Sequence, residues 1–390
     1  MLFSPLSWGL GHATRDIPII NDLIARGHTV GVAATGIALE LLSLEFPDLE
    51  FYNVPDYPSP YTSDGFSITR VVALFPLMVN NIAREHRIIS RIVRSERYDL
   101  VISDNRFGAY TKDVPCLFIS HQIRFATPGG IESVERMMEV FNGRYHRHFE
   151  RVIVPDNPPG PRSLSGKLGY ARRPFTKRRA YSAGILTDIR KQDVPQDIDY
   201  LVSISGPKVT KDALKKIIVE QIGGISGKKV ILLGDPASAF EERLDDDTLM
   251  KSHADRHEMA DLMNRAEFVI TRSGYTTVME LAELEKKDLL FIPTPGQTEQ
   301  EYLSAYYEDM GWVHSVRQHD LDLVRDVARA RTMKGFPPMS GSYNNIKKLY
   351  DWVIEGYLPH PKHYYDFGTR GSGAMPDDDD RPLYPLLPRR

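Results

Sequence analysis

The chain has 390 residues, too many for one core of ordinary size, so two domains with a cleft between them are expected. Its 42% hydrophobic and 26% charged residues are those of a globular protein, and a net charge of −3 points to no bulk polyanion partner, which disfavours nucleic acid. The one cysteine, Cys116, lies in an apolar run from Val114 to Ile119, which excludes an internal disulfide and fits a reducing, cytoplasmic compartment.

Met1-Leu-Phe-Ser-Pro-Leu6 lacks the basic lead and apolar stretch of a secretory signal and reads as a first strand. A helix follows from about Ala13, then a strand over 28–34. Further strands are expected at 49–54, 100–103, 116–120 and 152–155, with helices over about 68–96 and 132–149. This alternation predicts a parallel-sheet domain. Between Asp156 and Asp188 there is no acidic residue, while Arg162, Lys167, Arg172, Arg173 and Lys177-Arg-Arg179 crowd among Gly, Pro and Ser, which reads as a basic loop leading to a linker. A second strand series is expected at 200–204, 230–233, 268–270 and 289–292, with a last helix over 344–354. The fold class is therefore α/β, with domains at 1–185 and 186–358. The remainder, 359–390, is a tail with disorder predicted from about 368. Its run Asp377 to Asp380 has no neighbouring ligands and reads as solvated. No stretch reaches the roughly 18 apolar residues of a spanning helix.

Three segments carry chemistry. Gly9-Leu-Gly11-His12 lies where the first strand turns into the first helix, so backbone amides and a helix N-terminus can meet an anion or a polarised oxygen. Thr14 stands where a dinucleotide fingerprint needs its third glycine, which disfavours NAD and FAD. Thr271-Arg-Ser-Gly-Tyr-Thr-Thr-Val-Met-Glu280 follows an apolar strand. Its Ser273 and Gly274 sit at the turn, where a diphosphate can bind, between Arg272 and Tyr275. Glu280, about two helical turns on, can accept both hydroxyls of a ribose. Taken alone this is equally an ordinary capped helix. Ile292-Pro-Thr-Pro-Gly-Gln-Thr-Glu-Gln300 ends the next strand, and Gln297, Glu299 and Gln300 offer groups that suit a polyhydroxylated sugar, although acids there also suit a helix start.

The order strand, Arg-Ser-Gly-Tyr-Thr-Thr-Val-Met-Glu-Leu, strand ending Ile-Pro-Thr-Pro, then Gln-Thr-Glu-Gln, resembles the donor half of family 28 glycosyltransferases of the MurG type. Gly9-Leu-Gly-His12 with Ile19-Ile-Asn-Asp-Leu-Ile-Ala-Arg-Gly-His-Thr-Val30 resembles that family's acceptor-domain opening. The resemblance implies a GT-B fold, two Rossmann-like domains facing a cleft. It also implies a nucleotide-sugar co-substrate, a UDP-sugar first, with no further cofactor. Ser273 and Gly274 would then contact the diphosphate, Glu280 the ribose, Glu299 and Gln300 the donor sugar, and Met259 the base. The loop Ser205-Gly206-Pro207 would close over the phosphates. Arg272 stands where many plant and animal relatives have histidine, Ser304 where asparagine is common, and the first loop lacks the fuller MurG glycine pattern.

An inverting transfer needs a base for the acceptor hydroxyl and an electropositive cradle for the departing diphosphate. His12 is the candidate base and Asp104 its orienting acid, on neighbouring strand ends if the strand order follows the resemblance. His121 is the reserve candidate, or shapes the acceptor pocket with Gly9 and Gly11. No metal is expected, because no ligand cluster has the spacing, and Asp245-Asp-Asp247 reads as a solvated turn. Residues 1–185 carry 22 Lys or Arg against 18 Asp or Glu. With Phe75-Pro-Leu-Met-Val79 ahead of Arg84, Arg87, Arg91, Arg94 and Arg97, this half can face anionic lipid at the membrane inner face or bind a phosphorylated acceptor, and the hydroxyl acceptor expected is a lipid-linked or glycan one. An amphipathic helix with a solvated face is the alternative. Two other functions fit the same donor segment: a UDP-sugar epimerase and a non-catalytic nucleotide-sugar-binding protein.

Overall fold

In a computed structural model the described residues are 1–59, 61–62, 65–235 and 238–359, so the expectations for the tail fall outside them. Two seven-stranded sheets form, each flanked by helices, in the α/β architecture expected. The first holds β1 (Leu2–Pro5), β2 (Gly31–Ala34), β3 (Glu50–Asn53), β6 (Val101–Asp104), β7 (Cys116–Ile119), β8 (Arg151–Val154) and β9 (Ala180–Ser182). Its order is β3-β2-β1-β6-β7-β8-β9, parallel throughout. Strands β1, β2, β6, β7 and β8 are buried along their whole length, as parallel strands covered on both faces must be. A short antiparallel ribbon, β4 (Tyr61–Thr62) and β5 (Gly65–Phe66), stands apart. Helices α1 (Leu10–Ala25), α2 (Gly36–Glu45), α3 (Ile68–Glu96) and α4 (Glu132–Tyr145) make the crossovers.

The second sheet runs β12-β13-β11-β10-β14-β15-β16, built from β10 (Ile198–Ser203), β11 (Lys229–Leu232), β12 (Glu241–Asp245), β13 (Thr248–Lys251), β14 (Ala266–Thr271), β15 (Asp288–Phe291) and β16 (His314–Ser315). Its helices are α6 (Lys208–Gln221), α7 (Arg256–Arg265), α8 (Tyr275–Glu283), α9 (Thr298–Asp309) and α10 (Leu323–Ala330). Asp245 to Asp247 form the turn of the antiparallel β12–β13 pair.

Two expectations need correction. The segment 157–187 is not all loop: α5 (Pro174–Arg179) and β9 lie in it, and β9 pairs with β8 to finish the sheet edge. The final helix, α11 (Ser342–Leu349), continued by a π-type turn through Ile354, falls by sequence order in the second domain. Its Ile346, Leu349, Tyr350, Val353 and Ile354 instead pack into the core of the first sheet with Ile17, Ile20 and Leu42. Leu349 is fully buried there.

Candidate active site between the two halves

Register brings the first cluster together. Pro5 of β1 pairs with Asp104 of β6, which pairs with Ile119 of β7, so the three strands end side by side. His12, in the first turn of α1, Asp104 and His121 therefore meet at the carboxyl edge of the sheet, where ligands enter open α/β folds. His12 Nδ1 lies 3.0 Å from Asp104 Oδ1. Gly9, at φ 105°, precedes α1 in a conformation that a side chain rarely adopts.

Arg15, which sequence reasoning left without a role, occupies the centre. It lies three residues after His12 on the same helix face, and that spacing is the signal that could have found it. Its Nε donates to Asp104 Oδ2 at 2.8 Å and its Nη2 to Asp104 Oδ1, with Nη2 also 2.7 Å from His12 Nδ1. Its Nη1 is 2.8 Å from His121 Nδ1. Burial alone would raise the Asp104 carboxyl, but the Arg15 charge overcomes it and holds Asp104 well below the usual carboxylate range. Asp16, buried beside Arg15 with neither oxygen hydrogen-bonded, is pushed well up by burial and by the Asp104 charge.

The cluster continues across the cleft. His121 Nε2 lies 2.9 Å from Glu299 Oε1 in the first turn of α9, and Gln122 Nε2 donates to Glu299 Oε2. Burial lowers the His121 imidazole below its ordinary value, while the Glu299 carboxyl is lowered by His121 against the effect of burial. The His121 ring stacks on Tyr275 at 4.3 Å, and the Tyr275 hydroxyl donates to Pro155 O at 2.7 Å. Tyr275 was expected among the donor contacts. It is buried against the first half instead, because its ring and hydroxyl are both satisfied there. Thr276 Oγ1 donates to Gly11 O at 2.9 Å, and a Cβ on Gly11 would sit 2.8 Å from that oxygen, so the two helix starts nearly touch.

On the second sheet, Ser203, Thr271 and Phe291 are in register, and the loops that follow them converge. Ser205 and Gly206 are exposed, with Gly206 at φ 109°. Arg272 is buried beneath them. Its guanidinium donates to the carbonyls of Ser205 (3.3 Å), Thr210 (3.2 Å), Ile292 (2.9 Å) and Pro293 (3.2 Å) and to Gln318 Oε1 (2.8 Å). It meets no carboxylate among the described residues, and burial lowers it to about 10. The Ser273 hydroxyl, expected to face a diphosphate, is fully buried. It donates to Gln300 O and accepts from Ser304 at 2.9 Å each, which leaves the uncapped first turn of α8, after Gly274, on the open side. Gln300 Oε1 accepts from Thr294 N at 2.8 Å, and its Nε2 donates to Gln297 Oε1 at 2.5 Å. The Thr294 hydroxyl is buried and unpartnered beside Gly206. Met259, on α7, packs partly buried on the second core. Glu280 is half-buried with no hydrogen bond or ion pair among the described residues, and burial pushes its carboxyl up to about 7.

A cavity of about 230 Å³ opens between Thr127, Gly129, Gly130 and Glu135 of the first half and Thr298, Glu301 and Tyr302 of α9. Among the described residues no three His, Cys, Asp or Glu side chains converge as a cation site.

Residues 234–352 match the glycosyltransferase family 28 C-terminal domain, which spans Met259, the Arg272–Glu280 segment and Gln297–Gln300. An uncharacterized glycosyltransferase of Methanosarcina mazei is 22% identical over 324 residues, covering 78% of this chain and 82% of its own. Two solved structures share the fold over nearly the whole length. The glycotransferase of kitacinnamycin has a TM-score of 0.60 at 13% identity, over 92% of this chain and 98% of that one. MurG of Acinetobacter baumannii has a TM-score of 0.54 at 14% identity, over 91% and 99%. The chain has the GT-B fold, and residues 234–352 of its second half are similar to the C-terminal domain of family 28 glycosyltransferases.

Proposed function

We propose that the chain transfers a sugar from a nucleoside-diphosphate sugar, with UDP as the nucleotide, to a hydroxyl acceptor, with inversion and without a metal ion. The observation that carries this reading is Arg272, a buried guanidinium with no carboxylate partner among the described residues. An unpaired buried charge costs several kcal/mol, and a diphosphate held on the α8 N-terminus and the Ser205–Gly206 loop would supply the missing countercharge. Arg272 itself acts from beneath, since its donors are already taken by carbonyl groups. Glu280, without a partner on α8 among the described residues, accepts from the ribose, Met259 packs toward the base, and Glu299 with Gln300 recognises the donor sugar.

In the transfer, the acceptor oxygen attacks the anomeric carbon and its proton passes to His12 Nε2, while the bond to the diphosphate breaks and the charge gathers on the leaving oxygen. Asp104, on Nδ1, holds the ring in the tautomer that leaves Nε2 free. The acceptor, a lipid-linked or glycan hydroxyl, enters by the cavity between Gly129 and Tyr302.

Thermal unfolding in the presence of uridine, UDP and a set of UDP-sugars tests the donor. Ligand at a hundred times its Kd stabilises by about 2.7 kcal/mol, so UDP and one UDP-sugar should raise the midpoint by several degrees, and uridine far less. Equal shifts for uridine and UDP would remove the diphosphate site. A UDP-sugar epimerised in the absence of acceptor would replace transfer by epimerisation.

A further inference from the structure

Arg15 sits at the centre of the cleft cluster yet is 1% exposed, so it touches neither sugar nor acceptor. A guanidinium can only donate. His121 Nδ1, 2.8 Å from Arg15 Nη1, is therefore the unprotonated nitrogen of its ring, and the proton on Nε2 points across the cleft to Glu299. On its other edge Arg15 grips both oxygens of Asp104, a fork that fixes the plane of the carboxylate as an ammonium could not. His12 Nδ1 lies within reach of both Asp104 Oδ1 and Arg15 Nη2; Nη2 already donates to Asp104 Oδ1, so for His12 to act as base its Nδ1–H donates to that same oxygen, and no hydrogen bond to His12 Nε2 is formed among the described residues. One guanidinium thus touches three groups of the first half and, through His121, reaches the second.

We propose that Arg15 is a positioning residue for the transfer: it fixes the ring of His12 through Asp104 and the tautomer of His121, so that the base and Glu299 keep one geometry across the cleft. The proposal rests on His12 being the base. A base misplaced by about 1 Å costs on the order of a hundredfold in rate, so the effect belongs in kcat.

Two measurements test it. The first needs no substrate: nitrogen-15 NMR of the histidine rings in the ligand-free protein. His121 should carry its proton on Nε2, and in Arg15→Lys, which keeps the charge and loses the fork, that preference should weaken and the His12 ring signals should shift. A proton on His121 Nδ1 in the unaltered protein overturns the proposal. The second is turnover of UDP-glucose and UDP-N-acetylglucosamine. Arg15→Lys should lower kcat by about tenfold to a hundredfold with donor KM changed by less than about threefold. Where Arg15→Lys does not fold, His121→Gln replaces it: glutamine keeps an N–H for Glu299 and removes the acceptor for Arg15, so the His12 signals should still shift and kcat should still fall. Unchanged kcat and unchanged His12 signals overturn the inference alone. Turnover that survives in His12→Ala overturns the reading beneath it.

Discussion

Glu280 is pushed up to about 7 by burial, against an ordinary value of 4.5. A carboxyl raised in the folded state binds more protons than in the unfolded chain, so its contribution to stability is fully present below the unfolded value and is lost as pH rises through about 7. Glu280→Gln, which cannot ionise, should therefore melt higher than the unaltered protein at pH 8, with the gap closing towards pH 4.5. The same variant should bind the UDP-sugar about tenfold or more weakly, because a hydrogen bond to a charged acceptor is lost. A gap independent of pH, or unchanged affinity, would remove Glu280 from the proposed ribose site. Much of the residue-level picture was legible. The motifs located the strand ends that carry His12, Asp104, Arg272, Glu280 and Glu299. They could not show which way a side chain turns once its neighbours compete for it. The Ser273 hydroxyl is taken by Gln300 and Ser304, Tyr275 by Pro155, and the spacing from His12 puts Arg15 on the right face without showing that it reaches Asp104 and His121.

At the scale of elements, α3 shows both the strength and the limit of periodicity. Its 29 residues were readable from the apolar repeat, since Ile82, Ile89, Ile92 and Val93 are buried while Arg84, Arg87, Arg91, Arg94 and Arg97 face solvent. By contrast β12, Glu-Glu-Arg-Leu-Asp, has no apolar signal because it is an edge strand, and charge on an edge discourages pairing with another chain. The first turns of α3 depart from the amphipathic pattern. Val72, Phe75, Leu77 and Val79 are exposed, as are Met137 and Val140 on α4, and the Phe75 and Phe141 rings meet at 5.7 Å, which sets the two helices side by side. Among the described residues no helix is long and apolar enough to cross a membrane. An apolar face next to basic side chains suits shallow binding to an anionic bilayer, the surface on which a lipid-linked acceptor would be met. Flotation with phosphatidylglycerol vesicles should recover the protein, phosphatidylcholine vesicles should recover less, and Phe75→Asp with Met137→Asp should weaken recovery by about tenfold or more. Equal recovery of the double variant and the unaltered protein would dismiss this face as a membrane contact.

The two halves are joined by more than a linker. Ser342 Oγ and Asn345 Nδ2 of α11 both donate to Ile185 O, at 3.2 and 2.9 Å, and Ser342 N donates to Glu283 Oε2 of α8 at 2.9 Å. Gly184, at φ 74°, lies so close to Asn345 that a Cβ there would overlap the amide. The returning helix thus holds the crossing point between the sheets while its apolar face fills the first core. Sequence order predicted this helix but not its host, because an amphipathic pattern states that a face is buried and is silent about which core buries it. The arrangement makes the stability of the first half depend on residues at the far end of the sequence. Leu349 is fully buried there, so Leu349→Ala should cost about 2–5 kcal/mol from lost burial and the cavity left behind. For a unit of this size that is a fall in midpoint on the order of 4–20 °C. Since Leu349 packs with Ile17, Ile20 and Leu42 and not with the second core, calorimetry should show the loss in the transition of the first half, while UDP, which the proposed function assigns to the second half, should still raise the other. A midpoint moved by less than about 1 °C, or a loss confined to the UDP-sensitive transition, would mean that the helix does not couple the ends of the chain in this way.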